Sequence, residues 1–296
     1  MIKRYLVVLA ILVLSATMFT GCGNGDSDRA KNPFNGGTKG VIGEFEEIGL
    51  VSDTSDMNEV YEDEDFSVEL TLKNKGEFKI PANAAEVEIQ GINADDFGIP
   101  EQKTNDEVID PVTEYVEDGG QVTVDFGDAQ YNVTGSFYDA NIFAVYNYPY
   151  ETNIAVPKVC YKGDIREDRV CTVDEEKTVY SSGAPIVATK VEEKPQATKK
   201  IMLLITIENV AGGRASTNRD FTSRYDEVNF EVMTDGWTCN SKNESVARLS
   251  EGTGQIRCKL DQQMSENDLY EAQFDLELNY FYEDIEKTTV RIREAS

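Results

Sequence analysis

Apolar and polar residues alternate along most of the chain after residue 40. In 66–74 the sequence Phe-Ser-Val-Glu-Leu-Thr-Leu-Lys-Asn places its apolar side chains on one face, and 120–126 follows the same pattern. A period of two is typical of a β-strand with one buried face. Clusters of Gly, Asn and Asp separate such segments, and no long segment has the 3.6-residue period of a helix. The pattern therefore predicts an all-β fold built from β-sandwiches.

The strand pattern occurs twice. Four blocks of the first half match four blocks of the second half in the same order and at a nearly constant spacing: 66–74 with 201–209, 86–89 with 227–230, 120–126 with 254–260, and 147–151 with 279–283. The last pair contains the motif Asn-Tyr-x-Tyr-Glu in both halves. An ordered repeat of this length indicates two copies of one domain.

Each domain is expected to contain a core strand that is rich in tyrosine. Its inward positions are Ile142, Ala144, Tyr146, Tyr148 and Tyr150 in the first domain and Phe274, Leu276, Leu278, Tyr280 and Tyr282 in the second. These rings fit either a ligand-stacking platform or a packed core whose hydroxyl groups reach its rim, and we favour the core.

The N-terminus has the layout of a signal peptide. Lys3 and Arg4 precede an apolar run at 5–19, which is shorter than the roughly 20 residues that a transmembrane helix needs. The following Phe-Thr-Gly-Cys22-Gly resembles the lipobox of bacterial and archaeal lipoproteins. The resemblance implies cleavage after residue 21 and a lipid on Cys22. The protein would then be held on the extracellular face of the cytoplasmic membrane.

Together these features set the expected domain organisation. We predict a signal peptide at 1–21, a flexible Gly- and Asn-rich tether at 22–40, and two sandwich domains at 41–180 and 184–296. The first domain is longer because it contains a polar, acidic stretch at 101–119, which we interpret as an exposed loop.

The charge of the chain argues against several classes of function. Asp and Glu outnumber Lys and Arg by 55 to 28, and the net charge of -27 would repel nucleic-acid phosphates. The chain has no histidine, so it lacks the usual Ser-His and Cys-His nucleophile pairs and the commonest metal ligand. We therefore expect no catalytic activity, no cofactor and no nucleic-acid partner. Carboxylate chemistry on glycans is the remaining enzymatic alternative.

The cysteines predict two disulfide bonds. Five are present, and assigning Cys22 to the lipid leaves four. An even number in an exported protein without a Cys-x-x-Cys motif indicates disulfides rather than a zinc site. Four cysteines allow three pairings, and the repeat favours one bond in each domain, Cys160 with Cys171 and Cys239 with Cys258. We expect Cα separations of roughly 4.4 to 6.8 Å, Trp237 near Cys239, and Cys160 after the final strand of its domain.

Two further kinds of surface site have candidates. Acidic clusters at 53–56, 62–65 and 95–96 contain calcium-type ligands, but none has the spacing of a calcium loop, so we expect no metal site. Asn132 and Asn243 satisfy the N-glycosylation sequon and are candidate acceptors in an exported protein.

The turns after two matching strands carry a family resemblance. The segments Leu-Lys-Asn74-Lys-Gly76 and Ile-Glu-Asn209-Val-Ala-Gly-Gly213 resemble the Asn-x-Gly signature of CARDB-like, immunoglobulin-type adhesion modules. Over roughly 40–293 the chain is also similar to surface proteins of small-genome archaea. Those proteins have a segment like 183–189, cysteine pairs like those above, and a Tyr-rich last strand like 279–282. The resemblance implies tandem CARDB/Ig-like domains and a surface location, and it implies no activity.

The leading functional prediction is a lipid-anchored cell-surface protein that acts as an adhesion, interaction or scaffold module. Its partner would be a protein or a glycan. The alternative is a subunit of a surface filament or lattice, in which a strand of one copy completes the sheet of the next. Met202 and Leu204 motivate this alternative, because the matching positions of the first domain are the polar Ser67 and Glu69.

Overall fold

The computed structural model describes residues 31–51, 57–164, 166, 169–241 and 244–295. Their regular structure is almost entirely β, which confirms the all-β prediction. The strands are β1 Val41–Phe45, β2 Leu50–Val51, β3 Asn58–Tyr61, β4 Phe66–Asn74, β5 Glu86–Gln90, β6 Gln102–Thr104, β7 Gln121–Ala129, β8 Phe137–Lys162, β9 Glu175–Lys177, β10 Tyr180–Ser181, β11 Ile186–Ala197, β12 Lys200–Asn209, β13 Arg214–Ser216, β14 Asp226–Val232, β15 Trp237–Asn240, β16 Val246–Leu249, β17 Thr253–Leu260 and β18 Leu269–Arg293. A single-turn helix, α1 Ala94–Phe97, lies between β5 and β6.

These strands form three sheets within the described residues. One has three strands in the order β1-β4-β7, and a second has five in the order β15-β17-β12-β11-β9. The third has ten strands, with a main path β16-β14-β18-β8-β5-β6. The small sheets lie against different parts of the large one, since Tyr146 accepts a hydrogen bond from Gly43 of β1, whereas Thr152 donates to Ile186 of β11. The architecture is therefore sandwich-like in both halves of the chain.

Two long strands run through both sandwiches. β8 has 26 residues and β18 has 25, and they pair antiparallel from Phe137 opposite Arg293 to Lys162 opposite Leu269. The first part of each strand packs in the sandwich of its own half, and its second part completes the other sandwich. For example, Val290 near the end of β18 pairs with Asn58 of β3 in the first half. The halves thus exchange strands, and Asn32–Ser296 is one compact unit.

The exchange is symmetric about one pair of residues. Pro149 lies opposite Phe281, and these two residues hold the same central position in the two copies of Asn-Tyr-x-Tyr-Glu. Tyr148 consequently pairs with Tyr282, and Tyr150 pairs with Tyr280. The contact has the geometry of an isologous two-fold interface, here formed within one chain.

The turns after β4 and β12 are built in the same way. Asn74 and Asn209 each donate Nδ2 to the carbonyl oxygen four residues on and accept the N–H two residues on at Oδ1. The tyrosine hydroxyls of the long strands then accept the N–H of that same residue four positions on. The bonds are Phe78 N to Tyr150 Oη, 3.4 Å, and Gly213 N to Tyr282 Oη, 2.8 Å. These matching contacts support the predicted repeat at the level of individual atoms.

The end of the predicted tether is bonded to the junction of the two halves. The Glu77 carboxylate accepts the backbone N–H groups of Asn35, 3.0 Å, Gly36, 2.9 Å, and Gly183. Gly40 accepts a backbone hydrogen bond from Lys75. Three segments that are distant in sequence therefore meet at the turn around Glu77, and residues 35–40 at the end of the predicted tether are bonded to it.

One boundary differs from its prediction. Cys160 was expected after the final strand of the first domain, but it lies within β8. The strand continues past the repeated motif because residues 151–162 pair with β18 in the second sandwich. This part is buried on both faces at several consecutive positions, so the alternating signal is lost there.

Candidate functional site

The most prominent addition to the repeated frame is the segment 105–119, which we call the acidic loop. It contains six acidic residues and no basic one. Its base is tied to the β4–β5 connection by reciprocal backbone bonds between Ile80 and Ile109, 3.1 and 3.0 Å, and by Val112 N to Gly76 O, 2.8 Å. It closes at Gly120, whose N–H donates to Asp110 O at 2.8 Å. The loop is therefore fastened at both ends.

A buried asparagine organises the start of the acidic loop. Asn105 is fully buried, and its Oδ1 accepts the N–H of Ala85 at 2.7 Å. Its Nδ2 donates to the carbonyl oxygens of Pro81 and Glu107, at 2.8 and 2.7 Å. A buried amide with these partners satisfied fixes the backbone around it, because breaking any of the bonds would leave an unpaired polar group in the core.

The tip of the acidic loop holds an aromatic side chain in solvent. Thr113 and Val116 bond each other through their backbones at 3.0 and 3.2 Å, and Thr113 Oγ1 accepts the N–H of Val116 at 3.1 Å. Tyr115 sits on this turn with 90 % of its surface exposed, and Val116 is 52 % exposed. The exposed apolar tip is thus carried by a hydrogen-bonded turn.

Charges around the acidic loop are distributed unevenly. At its base Lys79 pairs with Asp110 at 3.4 Å and Lys75 pairs with Asp118 at 3.1 Å. Glu114 and Glu117 flank the tip and are exposed. The base is therefore neutralised in part, whereas Glu114 and Glu117 place negative charge on both sides of the tip.

The second half has a different structure between the corresponding strands. There β15 pairs with β17, and Cys239 lies directly opposite Cys258 and is bonded to it. The expected pairing is present, but the Cα separation of 3.9 Å is below the expected range. Residues that face each other on neighbouring antiparallel strands usually have Cα atoms about 4.5 to 5.5 Å apart, and these two cysteines are closer still. Trp237, two residues before Cys239, packs against Phe274 with ring centroids 5.2 Å apart.

The other expected disulfide, Cys160–Cys171, is also present, with a Cα separation of 5.7 Å. Beside it lies a buried ion pair, in which Lys177 Nζ is 3.0 Å from Glu193 Oε2 and 2.6 Å from Glu175 Oε1. The Glu193 carboxylate also accepts the N–H of Cys160. Burial raises the pKa of Glu193 to about 7, although Cys160 and Lys177 oppose that rise. This cluster fixes the segment after β8 onto β11.

The tyrosines of the long strands form core rather than a platform. Tyr148, Tyr150 and Tyr282 are among the largest fully buried side chains. The Tyr148 hydroxyl both accepts from and donates to the backbone of Val41, at 3.0 and 3.1 Å. Burial raises the pKa of Tyr148 well above its usual value. The rings are thus inaccessible to a ligand, in agreement with the favoured interpretation.

Carboxyl groups with raised pKa values are poorly placed for joint chemistry. Burial raises the pKa of Glu283 and of Asp284. They are successive residues of β18, so their side chains point to opposite faces of the sheet. Glu283 and Asp284 therefore have different surroundings, and Glu193 is closed to solvent.

Of the remaining predicted sites, one sequon lies on the described surface and several others lie outside the described residues. Asn132 and Thr134 are exposed in the loop between β7 and β8, so this sequon is sterically accessible. Asn243, Cys22, the signal peptide and the acidic cluster at 53–56 lie outside the described residues. Within the described ranges, no group of three or more acidic or cysteine residues is arranged to hold a metal ion.

No family model matches the chain, and no curated protein or solved structure matches it either. In the part of the chain that the structure describes, no helix is both long and apolar enough to cross a membrane. The two disulfides are typical of an oxidising compartment outside the cytoplasm.

Sequence reasoning missed the Tyr115 tip and the Glu193 cluster. Tyr115 lies in a stretch whose acidic composition hides a single aromatic residue. Glu193 reaches the core because the register of β11 shifts between Ala188 and Lys190. Such a shift moves the following side chains to the other face of the sheet. A search for exposed aromatics within acidic insertions would have found the first, whereas the second carries no signal in sequence.

Proposed function

We propose that the protein is a non-catalytic, lipid-anchored cell-surface lipoprotein that acts as an adhesion, interaction or scaffold module. In this proposal two tandem Ig-like, CARDB-like domains form the extracellular part, and the lipid on Cys22 holds it at the membrane. The proposal includes the resemblance to archaeal surface lipoproteins that have the same domain organisation. The observation that carries it is the acidic loop, which presents Tyr115 on a disulfide-containing β-scaffold.

The scaffold supports this function because the two sandwiches are held together rigidly. β8 and β18 cross from one sandwich into the other, and Arg219 of the second half reaches the first half. Its guanidinium bonds Asn147 and the carbonyl oxygen of Ala84 and pairs with Glu86 at 3.1 Å. A loop on a rigid support loses little conformational freedom on binding, which favours affinity.

Strand complementation into a filament receives less support. β7 ends the three-stranded sheet, so its outer edge is a candidate for strand addition. However, its register shifts at Gly127, and Lys103 Nζ donates to the carbonyl oxygen of Asp125 on that edge. Bulges and charged side chains are features that block strand addition at sheet edges. Met202 and Leu204, which motivated the filament alternative, are half-buried.

The proposal is tested on the full chain in the cells that produce it. External protease should digest the protein on intact cells, and the mature protein should partition into the detergent phase. The Cys22→Ser variant should be released from the membrane or mislocalised. The control is the double variant Cys160→Ala and Cys171→Ala, which should keep the anchor. Membrane retention of Cys22→Ser at the wild-type level would contradict the lipid anchor, and protection from protease would contradict the surface location.

A further inference from the structure

The exposure of Tyr115 sets it apart from the other apolar residues of the structure. Among the described large apolar side chains it is the most exposed, ahead of Leu50 at 82 %. Isolated exposed apolar residues are common on protein surfaces and need no explanation. Tyr115 differs because Val116 is exposed beside it and because the turn that holds both is hydrogen-bonded within a braced loop.

The shape of the tip restricts its partner. Tyr115 and Val116 stand on a projecting turn, so a partner must supply the concave side of the contact. A folded protein surface provides apolar pockets for an aromatic ring together with an aliphatic neighbour, and buried tyrosines are frequent energetic centres of such interfaces. An extended glycan chain offers no enclosed pocket for the valine side chain. The geometry therefore favours a protein partner.

The charge of the tip restricts the partner further. Glu114 and Glu117 flank Tyr115, and the whole chain carries a net charge of -27. An approaching surface of negative charge would be repelled at long range, and carboxylates placed around an apolar contact require positive groups opposite them. The rim of the pocket should therefore carry Lys or Arg.

The internal repeat provides independent support. In the second half the chain between the corresponding strands forms β15 and β16, and Cys239–Cys258 ties β15 to the sheet. The repeated frame thus folds without an acidic projection. The loop contributes a projecting surface in one half only, in addition to the contacts that its base makes with the core.

We propose that Tyr115 and Val116 form an anchor that inserts into an apolar pocket on a partner protein whose rim carries Lys or Arg. This inference rests on the proposed function, because it names the class of partner that the surface module binds. The acidic residues beside the tip orient the approach, and the apolar tip supplies the buried contact. The braced base keeps the tip in its binding conformation before contact.

Site-specific photo-crosslinking of the full chain on intact cells tests this proposal. A benzophenone amino acid replaces Tyr115, and in a matched control it replaces Tyr270, which is 48 % exposed on β18 of the second half. We expect one discrete protein adduct at position 115 and none of that size at position 270. Combining the probe with Glu114→Gln and Glu117→Gln should lower the adduct yield about tenfold, as expected for loss of electrostatic steering. The exposed pair Asp95→Asn and Asp96→Asn should leave the yield unchanged.

The outcomes separate the partner class from the proposed function. A protein adduct whose linked peptide lies in an apolar pocket beside Lys or Arg residues supports the inference. An adduct that consists of glycan, equal labelling at positions 115 and 270, or no adduct on cells where external protease digests the protein would overturn it. If the protease does not reach the protein at all, the surface location itself is wrong, and the proposed function fails with it.

Discussion

The two halves of the molecule share a frame and differ at the edge of each small sheet. Both use an asparagine at the end of a strand and tyrosines of a long shared strand to bond the backbone of the turn. In the first half β7 ends its sheet and the acidic loop precedes it, whereas in the second β15 extends the sheet beyond β17. The repeated contacts explain how the fold is held, and the unmatched edges indicate where to search for function.

The largest difference between the halves should appear at a turn position that is Gly76 in one and Ala211 in the other. A Cβ on Gly76 would overlap the Tyr150 hydroxyl and lie 2.6 Å from the carbonyl oxygens of Lys39 and Gly183. Gly76→Ala should therefore cost about 3 kcal/mol of unfolding free energy in denaturant titrations, because several backbone segments must move. Ala211→Gly should cost below about 1 kcal/mol. Equal losses of unfolding free energy in the two variants would show that the close contacts around Gly76 do not limit the side chain at this position.

The next comparison concerns the disulfides. Replacing Cys239 and Cys258 by Ala should cost about 3 kcal/mol in the chain-entropy model. The loss should appear as faster hydrogen exchange in β15, whereas exchange in β7 should stay unchanged. Replacing Cys160 and Cys171 by Ala is the matched control, and it should loosen the segment before β9 instead. Increased exchange in β7 after removal of Cys239–Cys258 would mean that the edges are coupled through the shared sheet.

These comparisons rest on features that the sequence reveals to different degrees. The repeat, the inward tyrosines and the two cysteine pairs were predictable, because each leaves a pattern of spacing or of alternating polarity. The exchange of strands was not predictable. Residues 154–156 and 159–162 of β8 are buried without alternation, so the alternating pattern that marks a strand does not extend to its end. The pairing of β8 with β18 around Pro149 and Phe281 joins residues that are far apart in sequence, and local sequence patterns do not record such contacts.

The candidate site was less predictable than the fold. The acidic stretch at 101–119 was correctly interpreted as largely exposed, but composition could not show that Asn105 and Ile109 anchor it in the core. Hydrogen bonds of a buried amide depend on which backbone groups the fold brings near it. Sequence therefore identified the loop, and only the three-dimensional contacts identified its rigid base and projecting tip.

The third prediction concerns the pH dependence of stability. It depends on Glu193, a buried carboxyl group of the second half whose pKa is shifted. Its pKa is raised by burial from 4.5 to about 7. An acid with a higher pKa in the folded state contributes stability below its unfolded pKa, and that contribution is lost as pH rises through its folded pKa. Unfolding free energy attributable to Glu193 should thus fall by about 3 kcal/mol between pH 4.5 and pH 8.

The matched variant for this test is Glu193→Gln, which keeps the shape but does not titrate. Its stability should depend less on pH than that of the wild type over the same range. The control is Glu192→Gln, at the neighbouring, less buried position of β11, and it should behave like the wild type. If the stability of the wild type instead rises with pH relative to that of Glu193→Gln, the charged pair with Lys177 dominates over burial. The direction of the pKa shift would then be reversed.

The smallest predicted difference lies between two equivalent tyrosines near the dyad. Tyr148→Phe leaves both the N–H and the carbonyl oxygen of Val41 without their bond in the core. It should cost about 2 kcal/mol of unfolding free energy. Tyr280 bonds Thr152 at 2.9 Å and only weakly the N–H of Ile186 at 3.4 Å, and Thr152 keeps its own bond to Ile186 O. Tyr280→Phe should therefore cost about 1 kcal/mol, and the exposed Tyr115→Phe should cost almost nothing. If Tyr280→Phe is the more damaging change, the bonds to Thr152 and Ile186 stabilise the core more than the two bonds to Val41, which contradicts the prediction.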